Sequence, residues 1–415
     1  MMSSSTNHFR KTFDDHTQLK HAILEAYLQS WAFKLLLRPG AGDRLVYVDC
    51  FAGAGCDAAG NLGSPAIACH TAQQVHTSLR DEHGRPNAHI DVVAVEDSAR
   101  HHAALKKYLE PFLRIKGNRV EILRGRASDH IDAIVALAGD DPTLFFLDPF
   151  GIGGLDASSY PKMLAGERNE MFALFSDLGA ARLRGVVHAT DDDLQERRVE
   201  LRSNPSFFAE FDVADEVAIA AEEARRTKAR QLTEPAAIAN ITRALGDDSW
   251  IADLEQMGSA DAQDELLRRF CGKLVASGAR YVQVIPMRDA AGNHKYCLVH
   301  ASRRRSGWLA MKEAVSGGLN REEFAELMRT RIKDDLRVGA ATIIRHLVDR
   351  FAGQTVRWSG EKSKADGSLR QFLLQETAVF DFQCPEIQRD LKARGWLTYS
   401  NRVPMCAIPA QLADG

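Results

Sequence analysis

Between residues 17 and 37, apolar side chains fall at Leu19, Ile23, Leu24, Tyr27, Leu28, Trp31 and Leu35. Spacings of three and four place them on one face of a helix, and Pro39-Gly40 stops it. The run Arg44–Asp49 is short and β-branched, and a glycine-rich turn follows to about Gly63. Ser64-Pro65 opens the next helix, with Ser64 suited to the N-cap and Pro65 to the first helical position. Strand-sized apolar runs at 89–95, 120–123, 143–147 and 170–175 then alternate with helical stretches at 100–113, 129–137 and 157–164. Such alternation implies βαβ units and a parallel sheet covered on both faces.

The rhythm breaks at 181–258, which is charge-rich and strand-poor and reads as a helical insertion. A helix at 260–276, a strand at 280–286, a Gly292-Asn293 turn and a strand at 295–300 follow, the last two strands forming a hairpin. A mostly parallel sheet closed by an antiparallel hairpin is the order of class I methyltransferases. Helices at 321–333, 342–351 and 385–394 then lead through Gly395 into two short β runs, a pattern like a winged helix-turn-helix. The expected organisation is a loose N-terminus at 1–16 and an α/β domain at 17–180 and 259–318. The helical insertion interrupts that domain at 181–258, and a winged-helix-like α+β unit occupies 319–415.

Composition narrows the class. Of 415 residues, 45% are hydrophobic and 26% charged, which excludes a disordered chain. No apolar run approaches the ~18–20 residues needed to cross a bilayer, and Met1–His8 lacks the features of a secretory signal. A soluble, cytoplasmic protein with no membrane partner is expected. Seven cysteines without a CxxC make neither a disulfide framework nor a zinc site, so no metal is expected. A net charge of −3 gives no global pull toward nucleic acid and leaves only a local basic surface for that purpose.

The chemistry concentrates at the ends of the predicted strands. In Tyr47-Val-Asp49-Cys-Phe51-Ala-Gly53-Ala-Gly55 the glycines let backbone approach a ligand closely, and the strand-to-helix turn is where α/β sheets collect ligands. Asp49 suits a positively charged amino group such as that of S-adenosylmethionine and would repel a dinucleotide pyrophosphate. The dinucleotide fingerprint is also incomplete, with Ala58 in place of its third glycine. Glu96, or less directly Asp97, ends the next strand, where a carboxylate can accept both ribose hydroxyls. It stands further from the glycine turn than the usual ~20 residues, because 82–86 adds a loop. After the third strand, Asp129 is suited equally to the adenine amino group and to a helix N-cap.

Asp148-Pro149-Phe150-Gly151 ends the fourth strand. Asp148 and the Pro149 carbonyl can accept hydrogen bonds from an exocyclic amine, and Phe150 can stack on a base. Amino-group methyltransferases carry an acid or amide, a proline and an aromatic at this point, and the tetrapeptide also resembles that of tRNA guanine-N2 dimethyltransferases. Each motif also has a plainer reading, as a packing turn or a strand-ending turn. His101-His102 reads as a solvated pair. Arg303-Arg304-Arg305 reads as a solvated loop or, with Arg321, Arg329, Arg331, Lys333 and Arg337 beyond it, as a phosphate-contacting strip diluted by nearby acids. Arg394, Arg402 and Trp396 are candidate substrate contacts of the C-terminal unit, and Trp396 reads as a core residue as well.

Together, His16–Lys20, Tyr27–Trp31, Tyr47–Gly55, Gly60–Pro65 and Phe146–Gly151 resemble the three-Cys-motif partner (TcmP) family over about residues 16–315. The resemblance implies a bacterial protein with a Rossmann-like class I methyltransferase fold, working beside a radical-SAM-like partner with three clustered cysteines. The expected activity is S-adenosylmethionine-dependent methylation of an amino nitrogen, on a nucleobase of DNA or RNA. The alternative is a catalytically silent module that binds nucleic acid or the partner.

Overall fold

The computed structural model describes residues 13–57, 59–113, 119–149, 154–176, 237–254, 257, 259–358, 368–400 and 403–410. Its residues group into two compact units. One comprises Gly42–Val284 and Lys295–Arg304, and the other Phe13–Ala41, Ile285–His294 and Arg305–Gly415.

The first unit is a layered α/β sheet. In chain order it holds β1 (Arg44–Asp49), α2 (Ser64–His83), β2 (His89–Glu96), α3 (Ala99–Leu113), β3 (Arg119–Arg124), α4 (Ala127–Ala138), β4 (Thr143–Leu147), α5 (Tyr160–Met163) and β5 (Glu170–Phe175). The helix α6 (237–245), α7 (Trp250–Leu254) and α8 (Ser259–Ala276) follow, then the hairpin of β6 (Tyr281–Arg288) and β7 (His294–Ser302), whose turn end, Ile285–His294, groups with the other unit. The seven strands run in the order β3-β2-β1-β4-β5-β7-β6. β1 pairs in parallel with β2 and β4, β2 with β3, and β4 with β5, whereas β7 runs antiparallel to β5. A reversed strand inserted between the fifth and sixth is the sheet of class I methyltransferases. That is a fold and not yet an activity.

Strands β4 and β5 are buried along their whole length, which is why they read as unbroken apolar runs. The edge strand β3 is half-exposed throughout. On one face, Phe175 stacks on Phe270 of α8 with centroids 4.6 Å apart, and Tyr160 meets the same ring edge-on at 5.8 Å. Ile241, Ala244, Leu245 and Trp250 join this core, so the last part of the 181–258 segment packs with the sheet. Residues 177–236, most of the expected insertion, lie outside the described residues. Across the sheet, the buried carboxylate of Asp91 accepts from Arg44 Nε at 2.7 Å, and Arg44 also reaches Asp141 at 3.2 Å.

The second unit contains α1 (Asp15–Leu36), α9 (Arg305–Leu319), α10 (Glu326–Asp335), α11 (Ala340–Phe351), β8 (Thr355–Arg357), α12 (Leu369–Glu376), a 3-10 turn (Asp381–Gln383), α13 (Cys384–Ala393), β9 (Leu397–Ser400) and β10 (Val403–Ala407). Helices α1 and α9 pack closely because Gly318 has no side chain: a Cβ there would lie 2.9 Å from Ile23 Cγ1. The three short strands form an antiparallel sheet in the order β8-β10-β9. Ile343, Leu347, Leu373, Leu391 and Cys406 fill the space between it and α11–α13. Lys312 is buried in α9, its ammonium held by the carbonyls of Leu374 and Thr377, each at 2.9 Å.

Three local expectations differ from the structure. Gly63, not Ser64, is the N-cap of α2, and Ser64 bonds the Asp49 carboxylate instead of the helix end. The helix expected over 157–164 is only the single turn Tyr160–Met163, because Asp156 caps a turn through Ser158 N–H at 2.9 Å. Residues 321–325 are not helical. The Arg321 N–H bonds the Gly318 carbonyl at 3.2 Å and closes α9 before α10 begins.

Candidate functional site

The register aligns the carboxyl ends of β1, β2, β3 and β4 on one sheet edge, with Asp49 beside Ala94 and Phe146, and Glu96 beside Arg124. Strand order reverses between β1 and β4, the place where open α/β sheets bind ligands. After Asp49 the chain is tied on both sides: the Cys50 N–H donates to the Phe146 carbonyl and the Ala52 N–H to the Val95 carbonyl, each at 2.9 Å. Gly53 and Gly55 then adopt φ of 62° and 88°, left-handed values that favour glycine. A Cβ on Gly55 would sit 3.0 Å from Tyr108 Cδ1. The Gly63 N–H closes the loop onto the Gly55 carbonyl at 2.8 Å.

Glu96 links this turn to β2. Its Oε2 accepts the Gly53 N–H at 2.9 Å and its Oε1 the Ser98 N–H at 2.7 Å. A carboxylate has about four acceptor positions, so each oxygen keeps capacity for one more donor, as a vicinal diol requires. Glu96 lines a cavity of about 680 Å³ together with Phe51, Asp97, His101, Arg126 and Ser128. That volume lies within the ~300–1,000 Å³ of small-molecule sites. Gly154 and Asp156, past β4, and Asn240 and Arg243, on α6, line it as well.

Asp49 is fully buried and is not among the cavity-lining residues. Its oxygens accept from the Tyr47 hydroxyl and the Phe51 N–H, each at 3.2 Å. Burial pushes its carboxyl up from 3.8 to about 7, helped by the charge of Asp148 and opposed by the bonds from Ser64, Phe51 and Tyr47. Asp49 and Asp148 therefore share one electrostatic neighbourhood. Phe51, Pro149 and Gly154 pack together: a Cβ on Gly154 would lie 2.4 Å from Phe51 Cε1 and 2.6 Å from Pro149 Cβ. Phe150 lies outside the described residues.

Other candidate residues are placed as follows. Asp129 is exposed in the first turn of α4, whose N-cap is Arg126, and the cavity is lined by its neighbour Ser128. It is therefore not the cap. Arg303 bonds the Ala165 carbonyl at 2.8 Å and Glu167 at 3.0 Å, and Arg304 meets the same Glu167 at 3.0 Å. Arg305 engages Glu376 at 2.5 Å and Arg394 engages Asp390 at 2.9 Å. Trp396 packs half-buried against the core of its unit, and Arg402 lies outside the described residues.

His101 corrects the expectation of a solvated pair. It is 8% exposed and lines the cavity, with Nδ1 3.8 Å from Glu96 Oε1. Its spacing to Leu105, Leu109 and Phe112, the buried side of α3, carried that signal. Nothing in sequence brings Asn240 and Arg243 to a cavity built from residues 50–156.

No family model matches the chain, and no curated protein sequence matches it. Among solved structures, it is similar to the SAH-bound Podospora anserina methyltransferase PaMTH1 (13% identity, 67% of this chain and 87% of that one, TM-score 0.26). It is also similar to PKMT2 from Rickettsia typhi (10% identity, 68% and 53%, TM-score 0.28). A third similar structure is the DszA carbon methyltransferase (12% identity, 64% and 48%, TM-score 0.26). The fold assignment rests on the strand order.

Proposed function

We propose that the chain is an S-adenosylmethionine-dependent methyltransferase acting on an amino nitrogen of a nucleobase in DNA or RNA. The observation that carries this reading is Glu96: a carboxylate with free acceptor capacity, tied to a left-handed glycine turn, in a cavity at the carboxyl ends of β1–β3. The residues present fit the cofactor. Glu96 would take the ribose hydroxyls, and Gly53 and Gly55 would admit its backbone-facing side. Asp49 would hold the turn in shape from below through Phe51. Glu96, Asp97 and Asp156 bring carboxylates to the cavity that suit a sulfonium cation.

When bound, the cofactor supplies an electrophilic methyl group. Asp148 and the Pro149 carbonyl would accept hydrogen bonds from the substrate amine and leave its lone pair facing that methyl. Phe150, next in sequence, has the ring to stack on the base, worth about 1–3 kcal/mol. Alignment of the reacting atoms would supply most of the rate gain. The second unit, read as a winged helix, would present the nucleic acid, and the resemblance to TcmP proteins adds a partner with three clustered cysteines.

The test is transfer of labelled methyl from S-adenosylmethionine to DNA and RNA pools. Label enters nucleic acid with the wild type, and Asp148→Ala abolishes it while cofactor affinity stays within about threefold. Transfer that persists undiminished in Asp148→Ala refutes the assignment.

A further inference from the structure

Asn240 and Arg243 stand one turn apart on α6, and both line the cavity. Arg243 Nη1 donates to Asn240 Oδ1 at 3.3 Å. A guanidinium has donors only. The Asn240 atom facing it must therefore be the amide oxygen, with the amide nitrogen on the other side. One acceptor position on that oxygen and the N–H donors are left for a ligand, side by side in a fixed order.

The pair is mounted on a firmly held element. Ile241, Ala244 and Leu245 are buried in the core. The Ala157 N–H bonds the Arg243 carbonyl at 2.9 Å, the Tyr160 hydroxyl the Ala244 carbonyl at 3.1 Å, and Trp250 Nε1 the Thr242 hydroxyl at 3.2 Å. The held backbone fixes where both side chains enter the cavity, and the bond between them sets the amide's orientation.

On its N1/N6 edge adenine presents an exocyclic N–H donor beside a ring-nitrogen acceptor, which an asparagine amide matches with both of its groups. Asp129 is not among the residues lining this cavity, Arg126 offers donors only, Asp156 acceptors only, and Ser98, Ser128 and His101 do not set an N–H donor and an acceptor side by side on one planar group as an amide does. An amide free to turn over would read a 6-oxopurine equally well, because that edge has acceptor and donor exchanged. We propose, resting on the cofactor reading above, that Asn240 reads the adenine edge and that Arg243 is a positioning residue holding the amide in the adenine-reading orientation. With the ribose fixed at Glu96, adenine is accepted and hypoxanthine rejected.

The experiment is calorimetric titration of the full chain with S-adenosylhomocysteine and with its deaminated counterpart, S-inosylhomocysteine. The wild type prefers the adenine form by about tenfold or more. Asn240→Ala weakens binding of the adenine form by about tenfold and loses the preference. Asn240→Asp keeps an oxygen toward Arg243, replaces the donor by an acceptor, and shows the same loss, which guards against a folding defect in the alanine variant. Arg243→Ala binds the adenine form within about threefold of the wild type but no longer rejects the inosine form. Wild-type-like binding by Asn240→Ala, or a full preference in Arg243→Ala, overturns the inference and leaves the cofactor reading standing. Absence of S-adenosylhomocysteine binding by the wild type overturns both.

Discussion

Asp49→Asn should make the chain more stable at neutral and alkaline pH. Burial raises the Asp49 carboxyl from 3.8 to about 7. For a carboxylate the sign is that of a cost: the unfolded chain releases its proton first, so stability falls as pH rises from 3.8 and is fully lowered above about 7. At ~1.36 kcal/mol per pH unit, that interval corresponds to about 4 kcal/mol. Asparagine removes the ionisation but keeps one oxygen for the Phe51 N–H, and the Tyr47 and Ser64 hydroxyls can turn to accept from its nitrogen. Imperfect geometry costs about 1 kcal/mol. Urea unfolding followed by circular dichroism, at intervals between pH 5 and 8, reads the difference between variant and wild type. That difference should move by about 3 kcal/mol in favour of the variant over this range. A difference that stays constant with pH would refute an Asp49 carboxyl raised by burial.

Gly55→Ala forces a Cβ into a left-handed backbone, at about 1–2 kcal/mol, and against Tyr108 Cδ1 at 3.0 Å. Its melting temperature should fall and its affinity for S-adenosylhomocysteine should drop at least tenfold by calorimetry. Arg44→Ala leaves the buried Asp91 carboxylate without its 2.7 Å partner. Losing a hydrogen bond to a charged group costs about 1.5–3 kcal/mol, so urea unfolding should show a loss near 2 kcal/mol, and a loss below about 0.5 kcal/mol would contradict the reading.

The central strands were legible because they are buried on both faces: Leu144–Leu147 and Met171–Phe175 carry their apolar character without interruption. Glu96 was legible because it is the first charge after such a run. Asp49 was legible as the end of the first strand but not as a buried residue, since burial depends on Tyr47, Ser64 and the neighbouring strands. Ser64 itself was misplaced at the cap because its hydroxyl is drawn to Asp49, a partner 15 positions earlier in the chain. The ion pairs of the arginine triplet with Glu167 and Glu376 were not legible, because no local window contains those acids. Asn240 and Arg243 were illegible for the same reason. Their helix returns to the cavity through packing of Ile241, Ala244 and Leu245, a long-range event with no motif.

The most direct measurement is calorimetric titration of the wild type and Glu96→Gln with S-adenosylmethionine, with NADH as the control ligand. Glutamine turns one of the two oxygens into a donor that faces a backbone N–H, either of Gly53 or of Ser98. A cofactor site at this turn predicts binding of S-adenosylmethionine by the wild type, at least tenfold weaker binding by Glu96→Gln, and none of NADH. Binding of NADH, or equal affinity of both proteins for S-adenosylmethionine, would contradict it.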